Sequence, residues 1–284
     1  MKPNIPSSEQ SSLITLNNNN NNVQPLSSSS IPDVNAISPT QVIPKSPFTS
    51  CCTYKHDLTV LEYSKYIELK TQCLIPYDNN NEVHSTDLHK LYDTAYTLYQ
   101  NTNQHDSNNN NNFTYKTLGF QTTTNPHTDF RNGGYISLLI MLHYINAYER
   151  EFNETFHLKY FAFAITCINV VNDIKTFLRL ITDDEIRQIE QHKMSSYTIT
   201  TLCNRQQIKC FLKALNENDI LFYEIVSLAL TQVIMVFKQN YNEDKKEQNY
   251  LMINDLIKQS VNNVGKALLT CSTADEIINA LKMK

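Results

Sequence analysis

Four glycines serve a chain of 284 residues. Three of them, Gly119, Gly133 and Gly134, fall in the single stretch LGFQTTTNPHTDFRNGG that ends at Gly134. Glycine is used where φ must be positive or where the backbone must come close to another surface. Its concentration here marks this stretch as the tightest piece of backbone in the chain. The same stretch carries Pro126, the acid–arginine pair Asp129 and Arg131, and Phe130 between them. An apolar run begins at once, at Tyr135. A loop of this composition, seated on a buried helix, is the candidate functional edge of the molecule.

What surrounds the loop reads as helix almost throughout, so the fold class expected is all-α. Leu88, Leu91, Tyr92, Ala95, Leu98 and Tyr99 follow the i, i+3, i+4, i+7 pattern of one helix face, with Ser85 or Thr86 as N-cap. Tyr135–Tyr148 is apolar nearly all round, which is the pattern of a central buried helix. His157–Leu180 reads the same way. Thr182-Asp-Asp-Glu185 and Thr273-Ala-Asp-Glu276 have capping-box spacing. Ile253, Leu256, Ile257, Val264 and Leu268 form a further stripe. Thr198–Leu202 is the best strand segment, and nothing offers it a partner. With ordinary helix lengths the chain holds roughly seven to nine helices.

Residues 1–52 differ in kind. They are rich in Ser, Asn, Pro and Gln and include the run Asn17–Asn22. Such composition cannot offset the entropy of ordering, so a disordered tail is expected there, followed by one helical domain over 53–284. A second run, Asn108–Asn112, marks a surface insertion ahead of the glycine-rich stretch.

Composition excludes several classes. The net charge is −4, without the basic stripe and interleaved aromatics of a nucleic-acid binder. The seven cysteines are dispersed and unpaired in spacing, the pattern of reduced thiols in a cytoplasmic protein. The polar N-terminus lacks a secretory signal, so the sequons at Asn112 and Asn153 are chance matches. Tyr160–Val171 is too short to span a bilayer. Leu221–Phe237 is nearer in length but carries Glu224, Ser227, Thr231 and Gln232. Both read as buried helices, which leaves peripheral membrane association as the open alternative.

Enzyme signatures are absent: no phosphate-binding glycine loop, no zinc-protease helix and no nucleophile elbow. The eight histidines lack ligand spacing, so no metal and no cofactor is expected. Asp129-Phe130-Arg131 remains, with two readings. In the first, Asp129 caps the next helix, Phe130 plugs the core and Arg131 pairs with an acid. In the second, Arg131 is exposed and reaches a partner's phosphates, for which its planar, permanently charged fork is suited.

At these residues the chain resembles the ELMO domain (engulfment and cell motility) family. The matching pieces are Leu118-Gly119-Phe120-Gln121, Pro126, Thr128-Asp129-Phe130-Arg131, Gly134, the helix Tyr135–Tyr148, Tyr160–Ile165 and Ile168-Asn169-Val170. Their order and spacing cover a core motif over 115–171. The resemblance implies an all-α domain with one of two activities. Stand-alone members are GTPase-activating proteins for Arf and Arf-like GTPases and supply an arginine finger in trans, here Arg131. Such a protein regulates a GTPase rather than acting as a catalyst alone. Asp129 and Gln121 would contact the GTPase or shape the loop, together with Gly119, Gly133 and Gly134. Larger members, as non-catalytic adaptors, scaffold Dock-type exchange factors for Rac in actin signalling and typically lack that arginine. Four departures stand against the pattern of the activating members. Tyr115 replaces Trp, Thr122 and Asn132 replace glycines, and one extra residue separates Gln121 from Pro126.

Overall fold

A computed structural model describes residues 58–102, 113–192 and 202–282. The tail 1–52, both asparagine runs read above, the adjacent Cys51 and Cys52 and the strand segment up to Thr201 lie outside the described residues. Among the described residues there are ten α-helices and no strand, as the all-α reading expects.

The helices are α1 (Val60–Cys73), α2 (Glu82–Thr102), α3 (Tyr135–Ala147), α4 (Glu149–Thr155), α5 (Phe163–Phe177), α6 (Asp183–His192), α7 (Arg205–Glu217), α8 (Leu221–Asn240), α9 (Lys246–Thr270) and α10 (Ala274–Lys282). A short 3-10 turn, Pro126–Arg131, precedes α3. Both capping boxes read from sequence form. Glu185 N donates to Thr182 Oγ1 at 3.2 Å, and Thr182 N donates to Glu185 Oε2 at 2.8 Å. Thr273 and Glu276 exchange the equivalent pair at 3.3 Å each.

Helix α8 forms the centre of one side, packed on α9, α10 and α5. It is long and apolar enough to cross a membrane, yet most of it is buried against those neighbours. Helix α3 lies on α2 and also touches α5 and α8. Eight of its thirteen residues are buried, so a helix without a polar face finds protein on nearly every side. Tyr144, Phe152, Phe211, Phe222 and Phe237 are fully buried in the one large core. A small satellite of Ile181, Ile186 and Leu202 seats α6.

Several boundaries differ from the sequence reading. Helix α2 starts at Glu82, so Ser85 and Thr86 lie inside it. Its cap is Asn81, whose Oδ1 accepts from Val83 N at 2.9 Å. The segment His157–Leu180 is not one helix, because α5 begins only at Phe163. The turn before it contains Tyr160 at φ 67, a conformation that continues no helix. Helices α1, α4 and α7 were not foreseen. Two of them open on capping boxes, Thr59 with Glu62 and Asn204 with Gln207.

Candidate functional site

The loop between α2 and α3 is held from both ends. At its start Gly119 takes φ 86, and a Cβ there would lie 2.4 Å from Phe163 N. This near-contact lets Leu118 O accept from Ala164 N at 2.9 Å, docking the loop on the start of α5. At its end Gly134 takes φ 72 with ψ −173, a region essentially reserved for glycine. Its Cα faces Ile75 O, 2.7 Å from where a Cβ would stand. The same Ile75 carbonyl accepts from Tyr135 N at 2.9 Å, so the link after α1 satisfies one of the first donors of α3. Gly133 has no positive φ; its role is close approach, with Ser137 Oγ 2.1 Å from the position of a Cβ.

Between these anchors the three motif residues separate into different jobs. Phe130 is 1% exposed and stacks on Tyr77 with ring centroids 4.8 Å apart. Phe120 is tilted against it with ring centroids 5.6 Å apart. Asp129 does not cap α3. Its Oδ2 accepts from Gln121 N at 2.8 Å and so closes the exposed loop tip into a ring. Gln121 therefore joins the site through its backbone, and its side chain is exposed.

Arg131 does not find an acid. It is exposed, and its Nε donates to Thr128 O at 2.9 Å within the same turn. Among the described residues its two terminal nitrogens have no hydrogen-bond partner, and the side chain makes no ion pair. The fork's outer donors are thus aimed at solvent while its inner donor fixes its stem. Asn132 follows at φ −90, ψ −36, right-handed helical geometry that any residue adopts, so replacing a glycine here carries no backbone strain.

Arg131 borders a groove of about 470 Å³ that runs between the loop, α5 and α6. Asn132, Asn172, Thr176 and Gln188 supply its polar lining, and Ile181 and Ile189 its apolar lining. Glu185 also lines it, with its carboxylate engaged by the Thr182 hydroxyl at 2.6 Å. No lysine lines the groove, so Arg131 is the cation there.

Two contributors escaped the sequence reading. Ile75 is an exposed residue whose backbone oxygen, not its side chain, holds Gly134 and Tyr135. Lys175 is 5% exposed and donates from Nζ to Gly133 O at 3.1 Å. Its only sequence signal was a lysine inside the apolar run Ile174–Leu178. Among the described residues no group of His, Cys, Asp and Glu has the arrangement of a metal site.

An all-helical domain that presents one exposed arginine on a backbone clamped by glycines is the class the geometry defines. The chain matches the family model ELMO/CED-12 family over residues 67–257. It belongs to that family. No curated protein and no solved structure matches the chain. The family works in small-GTPase signalling, with small GTPases or Dock-related proteins as partners.

Proposed function

We propose that the protein is a GTPase-activating protein for Arf-family GTPases, acting in the cytoplasm, with Arg131 as the finger. The observation that carries this reading is the contrast within one turn of chain. Phe130 and Gly134 are locked, while the guanidinium between them points outward with its terminal nitrogens unengaged. A finger must enter another protein's nucleotide site without dragging its own backbone. It must also meet little reorganisation cost when charge develops on the transferred phosphoryl group. The stem bond from Nε to Thr128 O supports this by holding the side chain's first half in place.

The chemistry is electrostatic. The attacking water and the leaving oxygen belong to the GTPase. Arg131 would add two donors and a full positive charge at the phosphoryl oxygens, worth about 10³–10⁵ in rate. Asp129 positions the loop through Gln121 N and stays out of the reaction. The adjoining groove, with amides as both donors and acceptors, suits a main-chain segment of the GTPase beside its nucleotide.

Single-turnover GTP hydrolysis by a panel of Arf and Arf-like GTPases tests the proposal, with wild type and Arg131→Lys compared. Lysine keeps the charge and loses the fork. The variant should lose most of the stimulation, a drop on the order of 10³, with unchanged partner affinity and melting midpoint. Undiminished stimulation by the variant overturns the finger. No stimulation by the wild type on any member, together with binding to a Dock-type exchange factor, establishes the non-catalytic adaptor instead.

A further inference from the structure

Lys175 is the most unusual residue near the site. Lysine is rarely fully buried unless paired, because removing an ammonium from water is costly. Here the side chain is 5% exposed, its Nζ has one hydrogen bond, to Gly133 O at 3.1 Å, and it makes no ion pair among the described residues. Burial accordingly pushes the Lys175 ammonium below its usual range. The thiol of Cys73 on α1 lies close enough to feel that charge, and is itself pushed up to about 12 by burial. An apolar side chain of the same length would fill this place at lower cost to the fold. Besides its attraction to the Glu185 carboxylate, the ammonium provides a grip on a carbonyl two residues past Arg131.

That carbonyl belongs to the Gly133–Gly134 peptide, which is tied within the loop through its N–H and to α5 through its oxygen. Phe130 fixes the turn before Arg131 by burial, and Gly134 N donates back to Phe130 O at 2.7 Å. Gly133 lies against Ser137 and Ile168, whose atoms come within 2.1 and 3.1 Å of a Cβ position. Contact of that kind stops Gly133 from moving inward. The plane itself is held on its N–H side by Phe130 O and on its carbonyl side by Lys175, because Gly133 O and Gly134 N belong to one planar peptide. The Phe130 bond lies within the loop, whereas the Lys175 bond ties this plane to α5, and a shifted plane would carry Gly133 O away from Nζ and leave the buried ammonium without its hydrogen bond.

We propose that Lys175 is a positioning residue for Arg131, its buried ammonium anchoring the Gly133 peptide plane to α5 and thereby setting the direction in which the finger leaves the loop. This rests on the reading of Arg131 as the finger. Small errors of orientation are expensive in such a site, since a displacement of about 1 Å costs roughly a hundredfold in rate.

Lys175→Met tests it, because methionine keeps most of the stem and removes the donor. Four quantities measured on the full chain are compared with wild type and with Ile257→Val, a core change in α9 that leaves the Lys175 donor in place. The expected result is a fall of about tenfold in the maximal rate of stimulated GTP hydrolysis. The concentration of activator giving half-maximal rate should stay within about twofold, and the melting midpoint should hold or rise. Amide exchange in peptides spanning residues 130–134 should quicken. Ile257→Val should lower the midpoint without slowing hydrolysis or loosening that segment. A loss of rate matched by a loss of midpoint, with exchange at 130–134 unchanged, overturns the proposal and makes Lys175 a structural residue only. If the wild type stimulates no GTPase, the finger reading fails by itself. Exchange then decides the anchor alone: quickened exchange in Lys175→Met supports it and unchanged exchange overturns it.

Discussion

At the scale of single residues, the site depends on main-chain atoms that side-chain reasoning does not see. The glycines were legible, and so was their purpose, because a chain with four of them places them where nothing else fits. Phe130 as a core plug was legible as well. The fates of Asp129 and Arg131 were not, because both depend on where Gln121 N and Thr128 O point, and backbone direction has no residue code. Gly134 gives the sharpest residue-level test. Its φ of 72 with ψ −173 belongs to a region other residues barely enter, and Ile75 O stands 2.7 Å from a Cβ. Backbone strain and the clash add, so Gly134→Ala should destabilise the fold by about 3 kcal/mol. Urea denaturation measures this directly. A loss below about 1 kcal/mol would show that the Ile75 carbonyl moves aside freely.

At the scale of helices, legibility followed the strength of the pattern. Helix α3 announced itself through an apolar surface that only a core can accept. Helices α1 and α7 are more polar and were lost to averaging, although each carries a local capping signature. The seam between α3 and α8 holds a polar cluster that no periodicity reveals. His143 Nε2 lies 3.0 Å from Glu224 Oε1, and the Tyr148 hydroxyl donates to Glu224 Oε2 at 2.7 Å. The His143 hydrogen bond, aided by that of Tyr148 and opposed by burial, holds the Glu224 carboxyl below its ordinary value. The folded state therefore prefers the ionised acid more than the unfolded chain does. Its contribution is complete above the ordinary carboxyl value of 4.5 and is lost as pH falls through the lower folded value. Denaturation midpoints taken across the acid range should fall more steeply for wild type than for Glu224→Gln. Parallel curves for the two proteins would mean the seam does not distinguish the charged acid from its amide.

At the scale of the whole molecule, the packing sets which groups the solvent can reach. Cys73, Cys167 and Cys203 are buried, and Cys210 and Cys271 are half-buried; all five are free thiols. Burial pushes the Cys73 and Cys203 thiols up to about 12 and moves Cys167 in the same direction. Since the thiolate is the reactive form, brief alkylation of the native protein followed by peptide mapping should mark Cys271 and Cys210 well before these three. Early labelling of Cys167 would mean that the α3–α5 core opens on the timescale of the reaction. The sequence reading expected reduced thiols from their dispersal, but which ones are shielded required the packing of α1, α5 and the segment before α7.

The anchoring of the loop from afar has one more consequence. Its fixed points come from Ile75 after α1, from the start of α5 through Gly119, and from Lys175 in the last turn of α5. These stretches are distant in sequence and meet only when the helices have assembled. The stretch from Leu118 to Gly134 therefore carries the site's composition without carrying its shape. It is not a portable motif: copied into a foreign scaffold or cut out as a peptide, it would keep every letter and lose the geometry. In this molecule the site and the fold are inherited as one unit.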